Sequence, residues 1–149
     1  MKINGTPYRT ISASADGAEV IIIDQTKLPH RFETVTLGTV EDAARAILTM
    51  QVRGAPLIGA TAAFGLALAL RDDASDQGLA EAIALLARQR PTAVNLRWAL
   101  EEVRAAVASL PTEARATAAW EKAQAIEDDE VETYRRIGEK GLALIRAAA

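Results

Sequence analysis

The chain has 149 residues, half of them hydrophobic and a quarter charged, which suits one soluble globular domain with a real core and excludes a disordered chain. A net charge of -3 excludes a broad nucleic-acid surface, since phosphate backbones need clustered Lys and Arg. Cysteine is absent, so disulfides, thiolate metal sites and a cysteine nucleophile are excluded within these residues.

The first 38 residues carry β-propensity and turn chemistry. Tyr8–Ile11 and Ala18–Ile23 are expected as strands around a polar turn at Ser14–Gly17, with Val20-Ile21-Ile22-Ile23 suited to a covered strand. Phe32, Val35 and Leu37 are expected in a third strand after a bend at Lys27-Leu28-Pro29, completing a small antiparallel sheet. The polar N-terminus shows no secretory signal, and a cytoplasmic protein is the expectation.

Residues 39–149 read as a bundle of about six helices, so the fold class is α+β, mainly α. Thr39 is placed to cap the first, with Glu41 and Asp42 in its opening turn and Ala43, Ile47 and Met50 on its apolar face. A break at Arg53-Gly54-Ala55 follows, and Pro56 sits where a first helical residue needs no N–H. The helix from Pro56 to Leu70 is apolar on all sides and is expected at the centre of the core; it falls short of the ~20 residues that span a bilayer.

Ser75 or Asp76 is placed to cap a third helix with Leu79, Ile83 and Leu86, ending near Gln89 because Pro91 disfavours helix at Arg90. A fourth spans about Val94–Ser109, with Leu96, Leu100, Val103 and Val107 on one stripe. A fifth carries Trp120 and Ala123, and the acidic run Glu127–Glu130 is expected to open a last helix through Val131, Tyr134, Ile137 and Leu142. The helical pattern continues to Ala147-Ala148-Ala149, as at a domain boundary or a frayed natural terminus.

Two segments share one grammar, an arginine followed by a proline at a helix start: Arg53-Gly54-Ala55-Pro56 and Arg90-Pro91-Thr92-Ala93-Val94-Asn95. Free first-turn N–H groups and the helix dipole attract an anion, and a guanidinium adds a planar fork matched to phosphate oxygens. Either the two starts form a phosphate or phosphosugar cradle, or they are proline turns whose arginines face water. Thr92 and Asn95 are expected as caps of the fourth helix, with lining a site beside Arg90 as the alternative, and Trp98 and Trp120 as core or interface residues. His30 reads as a solvated loop residue, and Asp72-Asp73 and Glu127–Glu130 as helix-terminal charge or solvated faces. No dinucleotide, Walker or nucleophile-elbow motif is present, and no metal or cofactor is expected.

The strings Asp24-Gln25-Thr26-Lys27-Leu28-Pro29, Val52-Arg53-Gly54-Ala55-Pro56-Leu57-Ile58-Gly59 and Arg90-Pro91-Thr92-Ala93-Val94-Asn95-Leu96 resemble the methylthioribose-1-phosphate isomerase family, as do Glu127-Asp128-Asp129-Glu130 and Ile137-Gly138. The superfamily includes ribose-1,5-bisphosphate isomerases and regulatory subunits of a translation-initiation exchange factor. The resemblance implies an aldose–ketose isomerase of methionine salvage acting on 5-methylthioribose 1-phosphate, by enolate or hydride chemistry. It implies that Arg53, Gly54, Ala55 and Arg90 bind the sugar phosphate. It also implies that the catalytic cysteine and aspartate lie in a Rossmann-like half downstream, absent from residues 1–149, leaving this single N-terminal domain without a catalytic residue and inactive alone. A homodimer of the full-length enzyme fits the same picture. The alternative is a stand-alone helical binding or regulatory module related to the exchange-factor subunits, and a third reading is a scaffold with no ligand.

Overall fold

A computed structural model describes residues 2–3, 5–14 and 17–148. Strand β1 (Lys2–Ile3) pairs antiparallel with β2 (Thr6–Pro7) in a hairpin that turns at Gly5, whose φ of 84° suits a residue without a Cβ. Strands β3 (Ile11–Ala13), β4 (Val20–Ile23) and β5 (Thr34–Leu37) form an antiparallel sheet in that order, with Ile22 opposite both Ile11 and Val35. Val20, Ile22 and Ile23 are buried, as the β-branched run requires. The sheet therefore forms where expected, with two shifts. The expected strand Tyr8–Ile11 is displaced to Ile11–Ala13, and Phe32 lies before the third strand, where its ring meets that of Tyr8 edge to face at 5.1 Å. Of the polar turn at Ser14–Gly17, residues 15 and 16 lie outside the described residues; Gly17 N donates to Ser14 O.

Among the described residues five helices follow: α1 (Val40–Leu48), α2 (Ala55–Asp72), α3 (Asp76–Ala87), α4 (Val94–Val107) and α5 (Thr112–Ala148). Thr39 caps α1 in a reciprocal box with Asp42, each side chain accepting from the other's backbone N–H. Met50 departs from expectation. It lies beyond α1, exposed, with a φ of 62°, because the chain must turn out of the helix to reach Arg53. Ser75 caps α3 through the amide of Gly78.

Helix α2 is the core. Every residue from Leu57 to Leu70 is buried, and Thr61, the one polar side chain among them, donates to Leu57 O one turn back. Contrary to expectation, α2 at 18 residues is long and apolar enough to cross a membrane by length and composition, but 78% of it is buried inside the fold, as in a core helix. It touches β3 and every other helix. Phe64 meets Trp120 of α5 at 5.3 Å, which puts Trp120 against the core as expected.

The fifth and sixth expected helices are one continuous α5 of 37 residues. Between Thr112 and Ile137 there is neither proline nor glycine, so nothing interrupts the hydrogen-bond ladder, and the acidic run sits inside the helix rather than at its start. Arg115, 8% exposed, ties the start of α5 to the α3 region by donating to Ala74 O and pairing with Asp76 at 2.7 Å.

Gly65 shows how closely α1 and α2 approach: a Cβ there would lie 2.7 Å from Ala43 Cβ and 3.2 Å from Leu86 Cδ2. Overpacking costs about 1–3 kcal/mol, against a gain of about 1 kcal/mol in helix propensity. Gly65→Ala is therefore expected to lower stability by about 1 kcal/mol in urea unfolding. Gly138→Ala, where a Cβ meets nothing within 4 Å, is expected to raise it slightly. Equal shifts for both would show that α1 yields freely at Gly65.

Candidate functional site

The two arginine–proline segments end as two helix starts without side-chain caps. Gly54 is the N-cap of α2, with φ at 90°, a conformation that favours glycine. The helix opens at Ala55 rather than Pro56, so the proline occupies the second helical position. With no capping side chain, the first-turn amides of Ala55 and Leu57 have no partner from the helix or a cap.

At the other segment, Ala93 N donates to Arg90 O at 2.9 Å, closing a turn over Pro91 and Thr92. Ala93 is then the N-cap of α4, also without a side-chain hydrogen bond. Neither Thr92 nor Asn95 caps this helix, contrary to expectation, because the chain turns in at Ala93, whose methyl group cannot accept.

Packing of the core brings the two segments to one end of the bundle. A Cβ on Gly59, in the second turn of α2, would lie 3.1 Å from Asn95 O in the first turn of α4. Arg53, Gly54 and Ala55 are exposed and Arg90 is half-buried. Among the described residues neither guanidinium has a hydrogen-bond or ion-pair partner, whereas those of Arg9, Arg45, Arg104, Arg115 and Arg135 do. Arg97, a turn into α4, is likewise exposed and unpaired.

Below this end, Asp24 is buried at the end of β4. Its Oδ1 accepts from Thr26 N at 2.9 Å and Thr26 Oγ1 at 2.6 Å, and its Oδ2 accepts from Gln51 Nε2 at 3.2 Å. Burial pushes this carboxyl up, but the hydrogen bonds from Thr26 and Gln51, with Lys27 nearby, outweigh it and hold the group below the ordinary range.

A second cluster lies between the β2–β3 connection and α5. Arg9 donates to Glu127 and Asp128, both at 2.7 Å, beside a cleft of about 390 Å³ lined by Tyr8, Glu130 and Tyr134. The acidic run is thus neither helix-terminal nor wholly solvated, since Glu127 is buried and paired. Burial raises Glu127, with Arg9 opposing. Glu130 is pushed up to about 7, by burial first and then by the charges of Glu127 and Asp129. His30 is exposed, as expected, and Trp98 is exposed rather than core. Among the described residues no three acidic or histidine side chains gather as a metal site.

The Initiation factor 2 subunit family matches residues 51–148, and the chain belongs to that family. A methylthioribose-1-phosphate isomerase of Paramagnetospirillum magneticum is 55% identical over 147 residues, covering 99% of this chain and 41% of that protein. The crystal structure of 5-methylthioribose 1-phosphate isomerase from Pyrococcus horikoshii aligns with a TM-score of 0.80 and 35% identity, over 89% of this chain and 39% of that one. That of the translation initiation factor eIF-2B subunit delta from A. fulgidus aligns with a TM-score of 0.83 and 35% identity, over 93% and 42%. The chain thus spans about two-fifths of the length of these relatives.

The raised carboxyl of Glu130 has a signed consequence. A carboxyl near 7 in the folded state and at an ordinary 4.5 unfolded binds protons more tightly when folded, so stability falls as pH rises from 4.5 through 7. Glu130→Gln is expected to stabilise the protein at pH 8 by about 1 kcal/mol, after allowance for its half exposure, with the gain vanishing near pH 4.5. Thermal melts of both proteins across this range check it.

Proposed function

We propose that this chain is the substrate-binding domain of an aldose–ketose isomerase that converts 5-methylthioribose 1-phosphate to 5-methylthioribulose 1-phosphate in methionine salvage, in the cytoplasm. The observation that carries the reading is the pair of uncapped helix starts, each preceded by an unpaired arginine and brought to one end of the bundle by the approach of Gly59 to Asn95. The 55% identity to a named isomerase, over 99% of this chain, supports the substrate class.

In this reading the phosphate sits against the free amides at Ala55 and Leu57, and the guanidinium groups of Arg53 and Arg90 neutralise its charge. Gly54, lacking a Cβ, lets the ligand approach the backbone. Arginine stays protonated, so these residues bind and stabilise charge but do not move the substrate's protons. Those steps fall to a Rossmann-like half. The exposed apolar side chains along the distal part of α5, Ile137 at 60% and Leu144 at 74% among them, support a large neighbour packed there. A full-length homodimer fits the same arrangement.

The equal likeness to the eIF-2B subunit delta structure favours a second reading, a regulatory module without turnover. The discriminating experiment joins anion binding to activity. Residues 1–149 are expected to bind inorganic phosphate in the millimolar range, equivalent to ~4 kcal/mol, by calorimetry or NMR titration. Arg53→Ala and Arg90→Ala are each expected to weaken it about tenfold with little change in melting temperature, and Arg53→Lys to lose much of the affinity, since a point charge lacks the bidentate fork. Turnover of methylthioribose 1-phosphate is expected only with the other half present. Phosphate binding indifferent to both arginines would remove the grip and leave the prolines as turns.

A further inference from the structure

We infer that Asp24 is a positioning residue for the anion grip, acting through Gln51 on the loop that carries Arg53; this rests on the proposed phosphate site. Among the described residues the exposed Arg53 side chain makes no hydrogen bond or ion pair, so its place is set by the backbone of residues 50–54. That backbone is unusual. Met50 and Gly54 both have positive φ, at 62° and 90°, and the segment between them is neither helix nor strand.

Two anchors hold it. On one side Val52 is fully buried, with its N–H donating to Ala46 O at 3.2 Å. On the other, Gln51 is gripped twice by the end of β4. Its carbonyl accepts from Gln25 N at 2.9 Å, and its side-chain amide donates to Asp24 Oδ2 at 3.2 Å. Thr26 fixes the aspartate in turn, donating to Oδ1 through both its amide and its hydroxyl and so aiming Oδ2 at Gln51. Asp24 N donates to Glu33 O, which locks the corner to the residue preceding β5.

The chain of contacts runs from the sheet through Asp24 and Gln51 to the backbone two residues before Arg53. The N-terminal sheet is therefore part of the binding machinery, because it fixes where a guanidinium with a long, flexible stem leaves the backbone. Pre-set geometry of this kind reduces the ordering a ligand must impose on binding.

A carboxylate here needs its hydrogen bonds more than its charge. An asparagine keeps the acceptor toward Thr26, and its amide serves Gln51 once that side chain turns its oxygen inward. This separates the positioning role from an electrostatic one. The probe is sulfate, whose charge is constant across neutral pH. Gln51→Ala is expected to weaken sulfate binding about tenfold while moving the melting temperature by no more than ~2 °C, because Gln51 is half-exposed. Asp24→Ala should behave likewise in binding, and Asp24→Asn should stay within about twofold of the native protein. Gln51→Ala combined with Arg53→Ala should bind no worse than Arg53→Ala alone, since the link acts only through that arginine.

Amide hydrogen exchange at Gly54 and Ala55 should quicken in Gln51→Ala. Should Asp24→Ala fail to fold, Gln51→Ala and Asp24→Asn still decide the matter. Native-like sulfate affinity in Gln51→Ala, or a tenfold loss in Asp24→Asn, overturns the inference and leaves the arginine grip standing. Sulfate binding by the native protein that ignores Arg53→Ala overturns the grip itself, and the positioning role falls with it.

Discussion

Helix α2 has no polar face from Leu57 to Leu70, and the rest of the molecule is arranged to cover it. A helix apolar on all sides cannot lie on a surface, because each exposed side would forfeit roughly 25 cal/mol per Å² of apolar area. Four helices and β3 surround it. Gly65 admits Ala43 of α1 at a distance that leaves no room for a Cβ, and Gly59 admits Asn95 of α4 at one where a Cβ would fit only tightly. Small residues at these crossings, with alanine through much of the core, explain how a chain with 4% aromatics fills its interior.

The same constraint determines where the two arginine-bearing loops lie. Once α4 lies along α2 with its first turn against Gly59, the loops that enter both helices share one end of the bundle. Both loops deliver their helices uncapped, through Gly54 and Ala93, where a serine or threonine would ordinarily satisfy the free amides. By contrast α1 and α3, remote in role from this end, carry side-chain caps at Thr39 and Ser75. The two starts that bear arginines thus lack the side-chain caps that α1 and α3 carry, as the proposed phosphate site requires.

The long α5 serves a different purpose along its length. Its first half closes the core through Ala119, Ala123 and Ile126, and Arg9 clamps the β2–β3 connection to it through Glu127 and Asp128. Beyond Glu130 the helix leaves the bundle, and its apolar residues are exposed, from Val131 at 42% to Leu144 at 74%. Sheet and helix thus meet at a corner of concentrated negative charge, partly neutralised by one arginine and partly by protonation of Glu130 near neutral pH.

Much of this was legible in the residues taken in order. Periodicity located the buried helix, Thr39 and Ser75 announced their caps, the β-branched run Val20–Ile23 announced the central strand, and the arginine–proline strings marked two helix starts. These features depend on neighbours within one turn or one strand, so they are written locally. What local pattern misjudged was continuity and company. The acidic run resembles a solvated face until Arg9, 118 positions away from Glu127, is brought against it. Met50 fits the apolar period of α1 until the turn toward Arg53 takes it out. That Gln51 rests on Asp24, and that Gly59 meets Asn95, are facts of long-range packing. No period or propensity encodes them, because they exist only when burying α2 forces distant segments to share the same few ångströms.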